Sequence, residues 1–387
     1  MKTNLHLITS SLDQMSESRT NRSVETIFKK KLFDKVIVIG LKDNPEDESL
    51  IKINPITTLI RVYRNLNVEK SGFILKLFKT LGWSIEAFRI AKKEHIHTIN
   101  CHSLSLLPLS VLLKIYLGSR LIFDIHELET EVNGISMIRK FSSKIVERML
   151  IGFCDIVIVV SEPIKDWYMA AYSIDNVHVI RNFPSLCTEV SSKESNLRKF
   201  FGIDDKDRVY LYHGALIEDR GIELLINVFK SIENSNNHIV FIGFGSLANL
   251  AKKNASIFNN IHFHEAMKKD KLYDFIKGAD VGLNLIANTC LNHEYCLPNK
   301  LWDFLSLSMP VLVNDLVGMR MIIEEFQCGW CVKDDHKSLK SRILSLTDNE
   351  ISQKRKGAEV SKSSWGWDLE EKKLIEIYKL NFENKRA

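Results

Sequence analysis

The chain has 387 residues, of which 45% are hydrophobic, and a formal net charge of +5. This length exceeds what one hydrophobic core ordinarily organises, so we expect two domains. No apolar run reaches the roughly 18 residues that cross a bilayer, and the first residues are too polar for a secretion signal. Seven cysteines, an odd number, indicate neither a disulfide framework nor a zinc site. The mild charge argues against nucleic-acid binding, and we expect a cytoplasmic protein.

Short apolar runs alternate with amphipathic helical patterns, such as 222–232 and 269–277, along almost the whole chain. Strands that alternate with helices predict parallel sheets covered on both faces. The runs that predict buried strands are 36–40, 121–125, 156–160, 209–212, 239–243, 281–285 and 310–313.

This alternation is interrupted once near the middle of the chain, by Arg181-Asn182-Phe183-Pro184 and the polar stretch 188–199. We place the domain boundary after Pro184, with one doubly wound parallel sheet on each side. Ligands of such sheets bind beyond the carboxyl ends of the strands. Two such domains facing each other would form a cleft, and its functional residues should follow strands directly.

In the first domain, His126 and Glu127 follow the predicted strand that ends at Ile125. Asp124 lies at the end of the same strand. Three ionisable groups at a strand end suggest a function. The alternative for His126 is a core histidine with satisfied hydrogen bonds. Arg19, in a predicted polar loop over 15–22, is a second candidate on this side.

In the second domain, Gly214 follows a strand and leads to Arg220-Gly221 at the start of a helical pattern. A guanidinium there can bind two phosphate oxygens while the glycine lets the backbone approach. The alternative is a surface arginine paired with a neighbouring carboxylate, which would contribute little. Gly243 opens a Gly-Phe-Gly turn, a weaker signal because such turns are common between strands and helices.

Residues 297–313 predict a loop, a helix and a buried strand. Pro298 suits the helix start and Asn299 can satisfy free amides there. Lys300 adds a charge where the helix dipole already favours phosphate. Asp303, one turn later, can accept hydrogen bonds from a sugar hydroxyl. The segment predicts a site for a phosphorylated sugar or nucleotide, and an ordinary capped helix is the alternative.

Several of these motifs occur in the order seen in family 4 glycosyltransferases, and the chain resembles that family over nearly its whole length. The resemblance implies a GT-B fold: two Rossmann-like doubly wound domains facing a cleft. Residues 1–184 would bind the acceptor, residues 185–365 would bind a nucleotide-sugar donor, and a C-terminal helix over 366–387 would return to pack on the first domain. The motifs are 124–128, 179–184, 213–221, 243–245, 278–283 and 297–303.

The resemblance further implies transfer from a nucleotide-diphosphate sugar, with a UDP-sugar favoured, to a glycan or lipid-linked saccharide in bacterial surface polysaccharide synthesis. Transfer would retain the anomeric configuration and need no cofactor and no metal. Arg220 and Lys300 would neutralise the leaving diphosphate in place of a cation, and His126 would contact the donor sugar near the reacting centre. The residues implied to hold the donor are Gly214, Gly243, Glu265, Ala266, Met267, Asn299 and Asp303, and those on the acceptor side are Arg19 and Glu127.

The chain departs from the family pattern at two places. Ala215 stands where the family often has an arginine, and Tyr295 replaces the first of two paired glutamates, with Glu294 one residue away. Two alternatives therefore stay open. One is a non-transferase nucleotide-sugar enzyme, such as an epimerase, and the other is a non-catalytic partner subunit of the same fold.

The segment 61–93 is rich in Lys and Arg and carries apolar residues at helical spacing. This pattern predicts peripheral contact with the anionic inner face of the cell membrane. The alternative is that the apolar stripe is core and the cations form a solvated face. The apolar residues are Ile74, Leu77, Phe78, Leu81, Ile85 and Phe88.

Overall fold

The chain forms two compact units in a computed structural model: Met1–Asn182 with Glu370–Ala387, and Phe183–Leu369. The predicted boundary follows Pro184, and the division in the structure follows Asn182. Each unit contains its own β-sheet. The structure describes residues 2–10, 12, 19–42, 46–63, 73–183 and 196–383, without the side chains of 73–80, 269–270 and 381–383.

The first unit contains an eight-stranded sheet of order β3-β4-β2-β1-β5-β6-β7-β8. All neighbouring strands are parallel except the edge strand β3, which runs antiparallel to β4. The strands are β1 (Thr3–Leu7), β2 (Lys35–Lys42), β3 (Leu50–Asn54), β4 (Thr57–Tyr63), β5 (Ile96–Cys101), β6 (Arg120–Asp124), β7 (Ile156–Val159) and β8 (Val177–Val179). The helices are α1 (Arg19–Lys29), α2 (Phe73–Lys92), α3 (Leu107–Leu117), α4 (Met137–Leu150) and α5 (Glu162–Tyr172), with short 3-10 helices at Leu104–Leu106 and Ile151–Phe153.

The second unit contains a six-stranded, wholly parallel sheet of order β11-β10-β9-β12-β13-β14. The strands are β9 (Arg208–Ala215), β10 (Asn237–Phe244), β11 (Ile261–Glu265), β12 (Val281–Asn284), β13 (Val311–Asn314) and β14 (Gly329–Val332). The helices are α6 (Leu197–Phe201), α7 (Ile222–Lys230), α8 (Ala248–Ala255), α9 (Lys269–Ile276), α10 (Leu291–Tyr295), α11 (Asn299–Ser306), α12 (Val317–Phe326), α13 (His336–Ser345) and α14 (Asp348–Ser361), followed by α15 (Trp367–Glu383).

From Glu370 onward, α15 belongs to the first unit. Tyr378 is buried and donates a hydrogen bond to Asn100 Oδ1 at 3.0 Å. Its ring also meets Phe33 edge-on, with 5.6 Å between centroids. Glu370 Oε2 accepts a bond from the Arg181 amide at 2.8 Å. The last helix therefore completes the core of the first unit.

The seven predicted apolar strands coincide with β2, β6, β7, β9, β10, β12 and β13. The central strand β5 was not among them, because polar residues interrupt its apolar pattern. Thr98 and Asn100 on β5 are nonetheless buried, and Asn100 Nδ2 donates to Asn4 Oδ1 on β1 at 2.8 Å. This pairing satisfies polar groups inside the sheet. Among the described helices, none combines the length and hydropathy of a membrane span.

Candidate functional site

In both sheets the strand order reverses beside the first strand of the unit, between β1 and β5 and between β9 and β12. Ligands of parallel sheets bind beyond the carboxyl ends of the strands at such a switch point. Two groups of side chains lie near these places, each within its own unit. We call them the histidine cluster (His6, His102, Asp124, His126) and the cation cluster (Gly214, Arg220, Lys300). The predicted residues Glu265, Ala266 and Met267 instead lie at the end of the edge strand β11.

Three histidines of the first unit form a hydrogen-bonded chain. His6 Nδ1 lies 2.9 Å from His102 Nε2, and His102 Nδ1 lies 3.2 Å from His126 Nε2. His6 is fully buried on β1, whereas 39% of the His126 side chain is exposed. The chain therefore runs from the core to the surface. Sequence motifs identified only its outer member, His126.

The surroundings of this chain determine which nitrogens carry protons. His102 Nδ1 lies 3.5 Å from Asp124 Oδ2, which favours a proton on Nδ1. His102 then donates to His126 Nε2 and accepts from His6 Nδ1. The opposite direction would place an N–H on His6 Nε2, a buried atom with no hydrogen-bond partner among the described residues. The arrangement therefore leaves the N–H of neutral His126 on its other nitrogen, Nδ1.

The surroundings of all three histidines favour their neutral forms. Burial lowers the pKa of His6 to about 3 and the pKa of His102 well below its usual value. Burial also lowers the pKa of His126, with Asp124 opposing the shift and Arg19 reinforcing it. His126 can therefore donate or accept a hydrogen bond without carrying charge.

Arg19 is the first residue of helix α1, so its predicted placement in a polar loop is wrong. Its side chain is 2% exposed and forms an ion pair with Asp124 at 2.8 Å. It also donates to the Ile180 carbonyl at 2.5 Å. Arg19 therefore positions Asp124 beneath the histidines, which does not favour the predicted acceptor role. Glu127 is exposed beside His126, as an acceptor-side residue would be.

Ligand atoms of His102, Asp124 and His126 lie within 4.8 Å of one another, close enough to share a metal ion. Asp124 is already paired with the Arg19 guanidinium. A cation at this place would therefore meet an existing positive charge, and the geometry favours the hydrogen-bonded arrangement.

Two glycines define the carboxyl end of the second sheet. Gly214 on β9 has a φ of +106°, which L side chains rarely adopt. Gly243 lies beside it on β10, and a Cβ there would approach the Gly214 carbonyl oxygen to 1.9 Å. The close approach of the two strands therefore requires Gly243. This packing is a structural requirement for glycine at position 243, in addition to the donor-binding role predicted from the sequence.

Lys300, the second residue of α11, extends across this edge. Its Nζ lies 3.7 Å from the centroid of the Tyr212 ring, and a Cβ on Gly214 would be 3.9 Å from the same atom. Burial lowers the pKa of Lys300 to about 7, with Arg220 reinforcing the shift and Asp303 opposing it. The two cations repel each other, so an anion bound between them would relieve the repulsion. This arrangement suits a phosphate or diphosphate.

The helix predicted after Pro298 is confirmed as α11, and Pro298 is its N-cap residue. Pro298 makes no side-chain cap bond, and the amide-capping role of Asn299 stays a prediction. Asn299 is the exposed first residue of the helix. Lys300 lies at the start of α11, and the positive end of the helix dipole there favours an anionic ligand.

Asp303 is held by two residues that sequence motifs did not single out. Its Oδ1 accepts a bond from the Tyr273 hydroxyl at 2.5 Å, and its Oδ2 lies 3.7 Å from His213 Nε2. Its side chain is 15% exposed. His213 precedes Gly214 in the same motif, which is the signal that could have identified it. A ribose hydroxyl would have to share this carboxylate with Tyr273.

Glu294, next to the expected glutamate position, has a structural role. Its Oε1 accepts a bond from the Val317 amide at 3.1 Å, at the start of α12, and its other oxygen accepts from Asn288 Nδ2. The Glu294 carboxylate therefore holds two segments together. This structural role does not favour Glu294 as the replacement for the missing family carboxylate.

The proposed base-binding loop begins at Glu265, the last residue of β11. Glu265 and Ala266 are exposed, and Met267 packs against the core of the unit. The loop is thus anchored at Met267 and open at its first two residues, whose backbone a ligand can approach.

Two family models match the chain in the regions of the two units. Residues 193–362 match the family described as Glycosyl transferases group 1, and residues 33–184 match Glycosyltransferase Family 4. The chain is a glycosyltransferase of the GT-B type.

Comparison with known proteins gives a related sequence and similar folds. The glycosyltransferase is 22% identical over 353 residues to chitobiosyldiphosphodolichol beta-mannosyltransferase of Kluyveromyces lactis, a match that covers 79% of this chain and 77% of the relative. Sucrose-phosphate synthase of Thermosynechococcus elongatus superimposes with a TM-score of 0.75 at 17% identity, covering 98% and 99% of the two chains. Anabaena HepE in complex with UDP gives 0.70 at 12%, covering 97% and 99%. The predicted GT-B architecture of two parallel-sheet α/β domains is confirmed.

Proposed function

We propose that this glycosyltransferase transfers a sugar from a UDP-sugar to a glycan or lipid-linked saccharide acceptor in bacterial surface polysaccharide synthesis. Two cations near a switch point carry the proposal. Lys300 lies beside Gly214, and Arg220 is close enough to lower the pKa of Lys300, so together they can neutralise a diphosphate. Anabaena HepE has been solved with UDP and with UDP-glucose, which supports the choice of donor. The name of the Kluyveromyces relative includes a diphosphodolichol-linked disaccharide, which supports a lipid-linked acceptor.

The proposed mechanism retains the anomeric configuration and uses no metal. As the bond to the diphosphate breaks, negative charge grows on the leaving oxygens, and Arg220 with Lys300 stabilises it. The diphosphate leaves on the face that the acceptor enters. One of its oxygens then takes the acceptor proton, so no protein base is required.

The remaining donor contacts follow from the placement of each side chain. Asp303 would accept from a ribose hydroxyl through the oxygen that Tyr273 does not occupy, and the loop from Glu265 to Met267 would hold the base through its backbone. In the first unit, neutral His126 would donate its Nδ1–H to a hydroxyl of the donor sugar. Glu127 is the proposed acceptor-side residue next to it.

Work on a lipid-linked acceptor would place the enzyme at a membrane, so we include peripheral membrane contact in the proposal. Much of the predicted contact segment, including Ile74, lies outside the described side chains. In the described part, Leu81 and Ile85 are 50% and 52% exposed, whereas Trp83 is buried. The alternative that this apolar stripe is core therefore fails at Leu81 and Ile85.

A thermal-shift panel of UDP, GDP, ADP, CMP and their sugar conjugates tests the donor site. A ligand at about 100 times its Kd should stabilise the protein by about 2.7 kcal/mol. We expect UDP to stabilise the wild type, and the shift to fade in Arg220→Ala and Lys300→Ala but not in the exposed control Lys253→Ala. No shift with any nucleotide would refute the donor site.

Turnover assays separate the remaining alternatives. Donor consumption without an acceptor product would indicate an epimerase-like enzyme, and nucleotide binding without turnover would indicate a non-catalytic subunit. The NMR coupling constant of the product's anomeric proton tests retention. Turnover that survives a chelator supports metal independence, and turnover that a chelator abolishes and a divalent ion restores contradicts it.

A further inference from the structure

The Lys300 side chain stacks on an aromatic ring of the second sheet. Its Nζ lies 3.7 Å from the centroid of the Tyr212 ring, well within the roughly 6 Å over which the face of an aromatic ring attracts a cation. A lysine has a flexible four-carbon stem, so the place of its ammonium depends on what the stem and the charge pack against. The Tyr212 ring is therefore a contact that can hold Lys300 in one position.

The ring itself is fixed by the core of the second unit. Tyr212 is fully buried on β9, which lies between β10 and β12. Its hydroxyl donates to the Ala215 carbonyl at 2.8 Å, and its ring contacts Phe241 on β10 with 6.1 Å between centroids. Burial raises the pKa of the Tyr212 hydroxyl above its usual value, so the ring stays neutral. The platform under Lys300 is therefore rigid and uncharged.

The charged groups around Lys300 come from three neighbouring segments. Burial lowers the pKa of Lys300, Arg220 ahead of α7 reinforces this shift, and Asp303 on α11 opposes it. Asp303 is shared with other partners, because its Oδ1 accepts from the Tyr273 hydroxyl on α9 at 2.5 Å and its Oδ2 lies 3.7 Å from His213 Nε2 on β9. The negative face of a neutral ring is a further group that favours the charged ammonium.

We propose that Tyr212 is a positioning residue of the donor site: its ring face holds the Lys300 ammonium beside Gly214 and stabilises the charge that meets the diphosphate of a nucleotide sugar. This role rests on the proposed donor site. A cation–π contact of this kind changes an equilibrium by about fivefold. An aliphatic side chain at position 212 would fill the core without offering the ring face, so Lys300 would lose its charge at a lower pH.

The titration of Lys300 in the free protein tests the ring contact directly. With ¹³C at the lysine Cε, NMR follows the charge of Lys300, whose signal is identified by its absence in Lys300→Arg. Tyr212→Leu should lower the ratio of charged to neutral Lys300 about fivefold, which moves the midpoint about 0.7 pH units toward acid. Tyr212→Phe retains the ring face, so its midpoint should match that of the wild type.

Titration calorimetry with UDP-glucose tests the consequence for the donor. Tyr212→Leu should weaken binding about fivefold at pH 8 but less than about twofold at pH 6, because acid restores the charge of Lys300 without the ring. A merely structural role would weaken binding equally at both pH values. In a Lys300→Arg background, Tyr212→Leu should leave the pH profile unchanged, since the guanidinium stays charged.

Two controls separate the ring face from the fold. Tyr210 lies two residues earlier on the same face of β9, is equally buried, and donates its hydroxyl to the Ile343 carbonyl at 3.1 Å. Tyr210→Leu should therefore leave the Lys300 midpoint and the pH profile of binding unchanged. Pentafluorophenylalanine at position 212 keeps the shape of the ring and reverses the charge of its face, so it should act like Tyr212→Leu without opening space in the core.

Several outcomes would overturn the positioning role. They are an equal effect in Tyr210→Leu, a loss of binding in Tyr212→Leu that does not vary with pH, and a wild-type midpoint with pentafluorophenylalanine at position 212. If the wild type binds UDP-glucose and Tyr212→Leu leaves the Lys300 midpoint unchanged, the ring contact alone is refuted and the donor site stands. A wild type that binds no UDP-glucose would refute the donor site and, with it, the role of Tyr212.

Discussion

Donor affinity should fall as the pH rises through neutrality, because Lys300 then loses its charge. Burial lowers the pKa of this ammonium to about 7 in the free protein. A bound diphosphate favours the charged form and raises that pKa, so binding takes up a proton. UDP-glucose is the suitable ligand, because the charge of its diphosphate is constant over the range tested.

The size of the effect follows from the two protonation states. With a pKa of about 7, Lys300 is about nine-tenths charged at pH 6 and about one-tenth charged at pH 8. The affinity for UDP-glucose should therefore fall about tenfold across this interval, which corresponds to about 1.4 kcal/mol. The pKa of each histidine in the histidine cluster is lowered below its usual value, away from this interval.

Titration calorimetry at pH 6, 7 and 8, in buffers of different ionisation enthalpy, measures both the affinity and the proton uptake. Lys300→Arg is the matched control, because its guanidinium stays charged throughout and its affinity should be nearly independent of pH. A flat profile in the wild type, or the same slope in Lys300→Arg, would refute the assignment of the titration to Lys300.

Three further predictions concern the supports of the site. His102→Gln should lower kcat about tenfold through loss of the bond to His126, with UDP binding unchanged. The control His262→Gln breaks a similar 3.0 Å histidine pair in the second unit and should leave kcat unchanged. Equal rates in both variants would contradict the positioning role of His102. Gly243→Ala should cost about 2 kcal/mol and lower the Tm by about 4–8 °C, because its Cβ would overlap the neighbouring strand, and an unchanged melting curve would contradict this. Glu294→Ala should cost about 1 kcal/mol through the lost helix cap while preserving turnover, and a large fall in kcat at unchanged Tm would instead assign Glu294 to catalysis.

Local patterns predicted much of the second unit. Apolar runs indicated its central strands, and Pro298 marked the start of α11 with Lys300 in its first turn. These signals depend on residues close together in the chain. The same reasoning failed at β5, whose buried polar residues are satisfied by partners on other elements.

Sequence by itself determined the α/β alternation, the division near Pro184 and the positions of His126, Arg220 and Lys300, because each depends on residue order and local spacing. Only the tertiary structure decided the surroundings of these residues. His6 and His102 are 96 positions apart, and Arg19 and Asp124 are 105 apart, yet each pair is in contact. The lowered pKa of Lys300 likewise depends on what surrounds its side chain after the sheet assembles. Burial and long-range pairing are properties of packing, and no local pattern in the chain encodes them.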